Sequence, residues 1–321
     1  MILIIGEKPS VSRAISAVVG ASSAHKGYTE GNGYIVSWCV GHLVGLKYPN
    51  DYGNGWDRKW SFSQLPMIPD KWQFQVTDST KAQYNLLKSL INRDDISEII
   101  CATDADREGE CIFRYVYDLV KCRKPVKRLW ISSLEESAIR DGFDKLKDGS
   151  AYDNLYQAGF CRAKADWLVG MNGSRLFSVR YNAHLNTGRV QTPTLAMIVK
   201  RDADIANFVK QKYFTVVLDM GFPTESARID EENTADMLAS SCNGKPVTVT
   251  DVKKEVRSIS APKLFDLTSL QREANKKFGY TAQQTLDYMQ SLYEKKLVTY
   301  PRTDSQYLSD DMEQTAYALI P

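Results

Sequence analysis

Two apolar runs, each breaking off into a charged turn before a helical pattern, restrict this chain more than any other feature. Residues 1–5, Met-Ile-Leu-Ile-Ile, end at Gly6-Glu7-Lys8. Val11, Ala14, Ile15, Val18 and Val19 then recur at helical spacing after Pro9-Ser10. The pattern returns at residues 96–102, which run into Thr103-Asp104-Ala105-Asp106-Arg107-Glu108-Gly109-Glu110 and a helix carrying Ile112, Val116 and Leu119. A third copy reads as a strand over 128–132, then Ser133 to Glu136 as a capping box opening a helix with Ile139, Phe143 and Leu146. Strand alternating with helix predicts a parallel sheet with helices on its faces.

The rest of the chain reads differently. Lys147-Asp148-Gly149-Ser150 is a natural boundary, and 153–180 look helical. Residues 213–220 and 246–256 are β-branched and alternate apolar with polar, which predicts an antiparallel sheet. Helices return at 268–278 and 281–294, opened by Thr268 with Gln271 and by Thr281 with Gln284. A short strand over 297–300 stops at Pro301. The expected division is an α/β domain (1–150), a helical domain (151–210), a β domain (211–262) and a last domain (263–321). At 321 residues, 43% hydrophobic and 25% charged, the chain is long enough and apolar enough for several cores.

Composition narrows the function classes. Net charge is only +2, so any nucleic-acid role must rest on local basic patches. The apolar start is too short for a signal sequence, and no stretch approaches the ~20 apolar residues of a membrane span. A soluble, cytoplasmic protein with no membrane partner is expected. The six cysteines contain no C-x-x-C pair, so buried reduced thiols are expected and a zinc site is not.

Asp104, Asp106 and Glu108 fall at the carboxyl end of a buried strand, where open α/β sheets place their ligands. Carboxylates two residues apart repel one another and favour a cation. Oxygen ligands suit Mg²⁺, which keeps waters and bridges to phosphate oxygens. A helix start also favours Asp and Glu with no metal at all. Glu7 tips the balance, because it completes the site if the two strands are neighbours, and Lys8 offers a cation to a phosphate. Glu110, inside the helix, is expected on its surface or behind the site.

The segment Leu297-Val298-Thr299-Tyr300-Pro301-Arg302-Thr303-Asp304-Ser305 decides between reactions. A tyrosine hydroxyl can attack a phosphodiester and keep one end as a phosphotyrosine. With an ordinary pKa near ~10 it needs help to lose its proton. It also needs positive charge on the phosphate oxygens in the transition state. Arg302, two residues on, points to the same side of an extended segment, and Pro301 stiffens the turn. With 17 tyrosines in the chain, any one is structural by default, so Tyr-Pro-Arg alone is weak.

Residues 1–147 resemble the Toprim domain through Glu7 and Asp104-x-Asp106-x-Glu108-Gly109-Glu110. Leu267-Thr268-Ser269-Leu270-Gln271, Leu292-Tyr293-Glu294 and the Tyr300 segment are similar to type IA DNA topoisomerases. So are residues 162–175 and Gly188-Arg189-Val190-Gln191-Thr192-Pro193-Thr194-Leu195, which extends the resemblance over nearly the whole chain, in family order. The Glu7-Lys8-Pro9-Ser10 start is most similar to the bacterial topoisomerase III branch.

The resemblance implies roles residue by residue. Tyr300 matches the nucleophile and Arg302 the arginine that positions the scissile phosphate. Glu7 matches an acid/base and metal-site glutamate, Lys8 the lysine that stabilises the transition state, and Asp104, Asp106 and Glu108 the Mg²⁺ ligands. Arg162, Asp166, Arg189 and Gln191 match the family's groove for a single strand. From the residues alone, Arg162 and Asp166 also describe a routine i,i+4 surface pair. Arg175 joins Arg180, Lys164 and Tyr181 in a basic, aromatic patch of the kind single-strand grooves use. Asn186 stands where many members have serine.

The implied architecture is a Toprim α/β domain followed by helical and antiparallel β domains of a toroid. The family supplies a further active-site histidine beyond the tyrosine, whereas His25, His42 and His184 all precede it. The toroid is therefore expected to be incomplete at Pro321, and catalysis to need a longer protein. The implied reaction is ATP-independent passage of one DNA strand through a transient break in another, on mainly single-stranded DNA. No G-x-x-x-x-G-K-[ST] loop occurs, so no nucleotide cofactor is expected. The alternatives are a Toprim nuclease or primase using the metal directly, and a non-catalytic single-strand-binding module.

Overall fold

Strand β1 (Ile2–Gly6) lies inside a seven-stranded sheet because its alternate side chains feed two separate cores. In the computed structural model every residue is described except 58, 132–133, 296, 299–300, 302–304, 309–311 and 319–321. The chain divides into two compact units, Met1–Gln191 with Lys263–Pro321, and Thr192–Pro262.

In the first unit β1 is followed by α1 (Pro9–Val19), the hairpin strands β2 (Ser23–His25) and β3 (Tyr28–Gly31), and β4 (Tyr34–Trp38). A small antiparallel pair, β5 (Val44–Leu46) with β6 (Phe74–Val76), brackets a long irregular segment. Then come α2 (Lys81–Ile91), β7 (Glu98–Ala102), α3 (Arg107–Val120), β8 (Val126–Arg128), α4 (Glu136–Asp144) and β9 (Lys147–Asp148). The sheet order is β2-β3-β4-β1-β7-β8-β9. Its centre, β4-β1-β7-β8, is parallel as expected, while β2, β3 and β9 add antiparallel edges.

Period-two alternation explains the two-sided core. Leu3, Ile5, Ile35 and Cys101 face one side with Leu87 of α2 and Ile112 and Val116 of α3. Ile4, Val36 and Ile100 face the other with Val11 and Ile15 of α1 and Ile139 of α4. Each such fully buried Leu or Ile side chain stabilises the fold by about 1.5–3 kcal/mol relative to exposure. Gly20 ends α1 in the left-handed conformation that a side chain resists.

Helix α5 (Asp153–Tyr181) runs for 29 residues. Its Trp167 is buried against Trp56 and Met67 from the segment between β5 and β6, and the indole N–H donates to the Lys47 carbonyl at 2.8 Å. Asn172 grips the same segment through both main-chain groups of Met67, at 2.6 and 2.9 Å. Tryptophan in the segment and tryptophan on the helix therefore make one aromatic cluster.

The second unit contains α6 (Gln191–Ala206) from its second residue onward, the hairpin β10 (Val217–Asp219) and β11 (Pro223–Glu225), and α7 (Glu232–Cys242). Here the sequence expectation needs correction. Residues 214–219 pair with 223–229 next to them, through β10, β11 and a Phe214–Ile229 bridge, and residues 246–256 carry no strand. A partner a few residues away closes a short loop, so it wins over one thirty residues on.

Helices α8 (Leu267–Phe278), α9 (Ala282–Glu294) and α10 (Glu313–Ala318) belong to the first unit. Thr281 and Gln284 form the expected capping box. The expected Thr268–Gln271 box does not form. Asp266 caps α8 through the Ser269 amide at 2.6 Å, because an ionised carboxylate is the stronger acceptor for an unpaired helix N–H. Helix α4 begins at Glu136, and Ser133, its expected cap, lies outside the described residues.

Candidate active site

β1 and β7 are parallel neighbours with Gly6 opposite Ala102, so Glu7-Lys8 and Thr103-Asp104 leave the sheet side by side. The Asp104 amide donates to Glu7 Oε2 at 3.2 Å. Lys8 Nζ stands 3.6 Å from Glu7 Oε1 and 3.7 Å from Asp104 Oδ2. Burial pushes the Glu7 carboxyl above its ordinary range, and the Asp104 charge adds to this, while Lys8 and the Asp104 amide pull it back.

The other two acidic side chains diverge. Asp106 caps α3, its Oδ1 accepting the Gly109 N–H at 2.7 Å. Glu108 points outward and meets His42 Nε2 at 3.3 Å. Side chains at 104, 106 and 108 would share one face only if the chain stayed extended. Here the chain changes from extended to helical at Asp106, and a helix turns successive side chains by about 100°. Among the described residues, no three His, Cys, Asp or Glu side chains converge closely enough to hold a metal ion.

The donor chemistry nonetheless fits Mg²⁺. That ion is held through one or two carboxylates and completed by water and phosphate, and Glu7 with Asp104 provides a carboxylate pair beside a lysine. Gly109 makes the loop possible, since a Cβ there would collide with the Asp104 carbonyl oxygen.

Two residues of this region escaped the sequence reading. His42 follows β4, the third parallel strand whose carboxyl end opens on the same edge. Arg128 ends β8 and is fully buried behind the acidic loop. Neither carries a clear sequence signal, because His42 lies in the turn between β4 and β5 and Arg128 follows Lys127 in a short strand of mixed character.

The expected groove residues gather on α5 and the segment after it. Asp166 pairs with Arg189 at 2.9 Å, not with Arg162, which stays exposed. A cavity of about 640 Å³ is lined by Tyr48, Trp60, Asp166, Arg175, Arg189 and Gln191 among others. Arg175 plays a different part from the expected open contact. It is 2% exposed, donates to the Trp56 carbonyl at 2.9 Å and Gln64 Oε1 at 3.1 Å, and lies 5.1 Å beneath the Trp60 ring. Lys164 Nζ sits 3.9 Å over the Phe160 ring. Tyr300 and Arg302 lie outside the described residues. Near them, Pro301 is buried, and Gln306 donates to the α8 cap Asp266 at 2.8 Å.

A family profile described as DNA topoisomerase matches residues 150–320, and a Toprim domain profile matches residues 2–134. The chain belongs to the DNA topoisomerase family. DNA topoisomerase 3 of Bacillus cereus is 45% identical over 98% of this chain, and that of Shouchella clausii 43% over 97%. In both cases the chain spans 44% of the relative's length. The solved structure of full-length topoisomerase I from Thermotoga maritima superimposes with a TM-score of 0.67 at 24% identity. It covers 99% of this chain and 52% of that one, and shares its fold. The sequence resemblance to type IA topoisomerases, and to their topoisomerase III branch, stands on these matches.

Proposed function

We propose that this chain carries the cleavage chemistry of an ATP-independent type IA DNA topoisomerase. The observation behind this reading is the meeting of Glu7, Lys8 and Asp104 at the carboxyl ends of adjacent parallel strands in a member of that family. Tyr300 Oη gives up its proton to solvent water and attacks the phosphorus of one strand. A phosphotyrosine bond forms, the bond to the leaving sugar oxygen breaks, and the conserved bond energy drives rejoining without a nucleotide. Lys8 and Arg302 place positive charge on the phosphate oxygens. Glu7, whose carboxyl holds its proton to higher pH than usual, hands it to the leaving oxygen.

Mg²⁺ held by Asp104, and by Glu7 once its proton is gone, would offset the charge of phosphate near the carboxylates, and Asp106 and Glu108, which point away in this structure, would have to turn to join it. The substrate is mainly single-stranded DNA, lying along α5 past Arg162, Asp166, Arg189 and Gln191, with Arg175 supporting Trp60 from below. The four-part division 1–150, 151–210, 211–262 and 263–321 follows these roles. A cytoplasmic setting suits them, and no described helix is long and apolar enough to cross a membrane.

Relaxation of negatively supercoiled plasmid by a protein extended beyond Pro321 to the relatives' length tests this. Mg²⁺ without nucleotide is expected to support relaxation, and Tyr300→Phe to abolish it. Irreversible nicking that survives Tyr300→Phe would instead identify a Toprim nuclease. Metal-independent single-strand binding with neither activity would identify a binding module.

A further inference from the structure

Behind the acidic loop, Arg128 is enclosed so completely that its side chain has no exposed surface. Its guanidinium donates to Glu110 Oε2 at 3.0 Å and to the carbonyls of Cys101 (3.2 Å), Thr103 (2.8 Å), Asp104 (2.7 Å) and Leu129 (2.8 Å). Past Ala102 the β7 main chain leaves the ladder, so its carbonyls need new donors. A planar fork of N–H groups meets several at once, which a lysine ammonium cannot do in the same geometry.

Residue 104 is thereby gripped from both sides. Its carbonyl accepts from Arg128 and from the Asp106 amide at 2.9 Å, while its own amide donates to Glu7. The arginine is held in turn: Glu110 carries its counter-charge and also accepts from Arg114 at 3.0 Å. Trp130 covers its face at 5.0 Å and stacks on Tyr152.

We propose that Arg128 is a positioning residue for the divalent-ion site, fixing the main chain of 101–104 so that the Asp104 carboxylate stays beside Glu7. This rests on the reading of Glu7 and Asp104 as metal-holding carboxylates. Groups that orient metal ligands from behind typically change ion affinity by about 10- to 100-fold when removed. Arg128 touches neither ion nor DNA, so single-strand affinity without metal is independent of it.

The test is Mn²⁺ binding to the 321-residue chain, read from the free-ion electron paramagnetic resonance signal, alongside single-strand binding in EDTA. Wild type, Asp104→Asn, Arg128→Lys and Arg128→Met are compared, with circular dichroism as the check on folding. Arg128→Met is expected to weaken Mn²⁺ by at least about tenfold and Arg128→Lys by less, with DNA affinity in EDTA unchanged. Should Arg128→Met not fold, Arg128→Lys carries the test alone. Wild-type affinity for Mn²⁺ in a folded Arg128 variant, while Asp104→Asn loses the ion, overturns the positioning role only. No Asp104-dependent Mn²⁺ binding in the wild type overturns the metal reading and the positioning role with it.

Discussion

Two ion pairs in the first unit share the same chemistry and differ in almost everything else. Arg128 and Glu110 are 0% and 1% exposed and surrounded by main-chain acceptors and further charges. Arg189 and Asp166 are 50% and 40% exposed and line an open cavity. An enclosed pair fixes geometry, because each partner left alone would be a buried charge. An open pair is worth little to the fold and is free to exchange partners with a phosphate. The acidic loop is built as a rigid fixture, whereas the pair in the α5 cavity stays open to solvent, as the proposed single-strand groove requires.

Four variants press on this contrast. Glu110→Gln leaves Arg128 without its counter-charge and should cost about 3–5 kcal/mol of stability, read from urea unfolding midpoints. Gly109→Ala pushes a methyl group into the Asp104 carbonyl and should cost about 1–3 kcal/mol by the same measurement. Arg189→Ala should cost under about 1 kcal/mol, yet make the log–log salt dependence of single-strand affinity shallower by about 0.7 for a lost phosphate contact. A loss of stability for Arg189→Ala as large as for Glu110→Gln would erase the distinction.

The last variant concerns Glu7. Because burial raises its carboxyl, the folded state keeps this proton to higher pH than the unfolded chain does. Its ionisation therefore costs nothing below the ordinary carboxylate range. Stability falls as pH rises from that range through the raised value, and the loss persists above it. Glu7→Gln in EDTA should melt higher than wild type at about pH 8 and show no such gain at about pH 4.

Much of the site was legible in the sequence for one physical reason. Apolar strands that stop at charged turns put those turns on the carboxyl edge of a parallel sheet, and the Glu7–Asp104 contact follows from adjacency alone. The directions in which Asp106 and Glu108 point were not legible, because the onset of a helix is a matter of one residue and decides where each side chain goes. Arg128 ends β8 and His42 lies in the turn after β4, one strand further out on either side, where lone polar residues carry no spacing pattern. The Trp56–Trp167 cluster joins irregular chain to helix, and no periodicity marks it. In the second unit local alternation at 213–220 was read correctly, while its partner was not, since pairing is set by loop length as much as by pattern.

The most direct test traps the covalent intermediate. End-labelled single-stranded DNA is incubated with the protein extended beyond Pro321, denatured, digested with protease and the labelled peptide sequenced by mass spectrometry. The expected result is a nucleotide linked to Tyr300, absent in Tyr300→Phe and diminished in Lys8→Ala. A folded, DNA-binding protein that yields no adduct, or one linked at another residue, would contradict the assignment of this site.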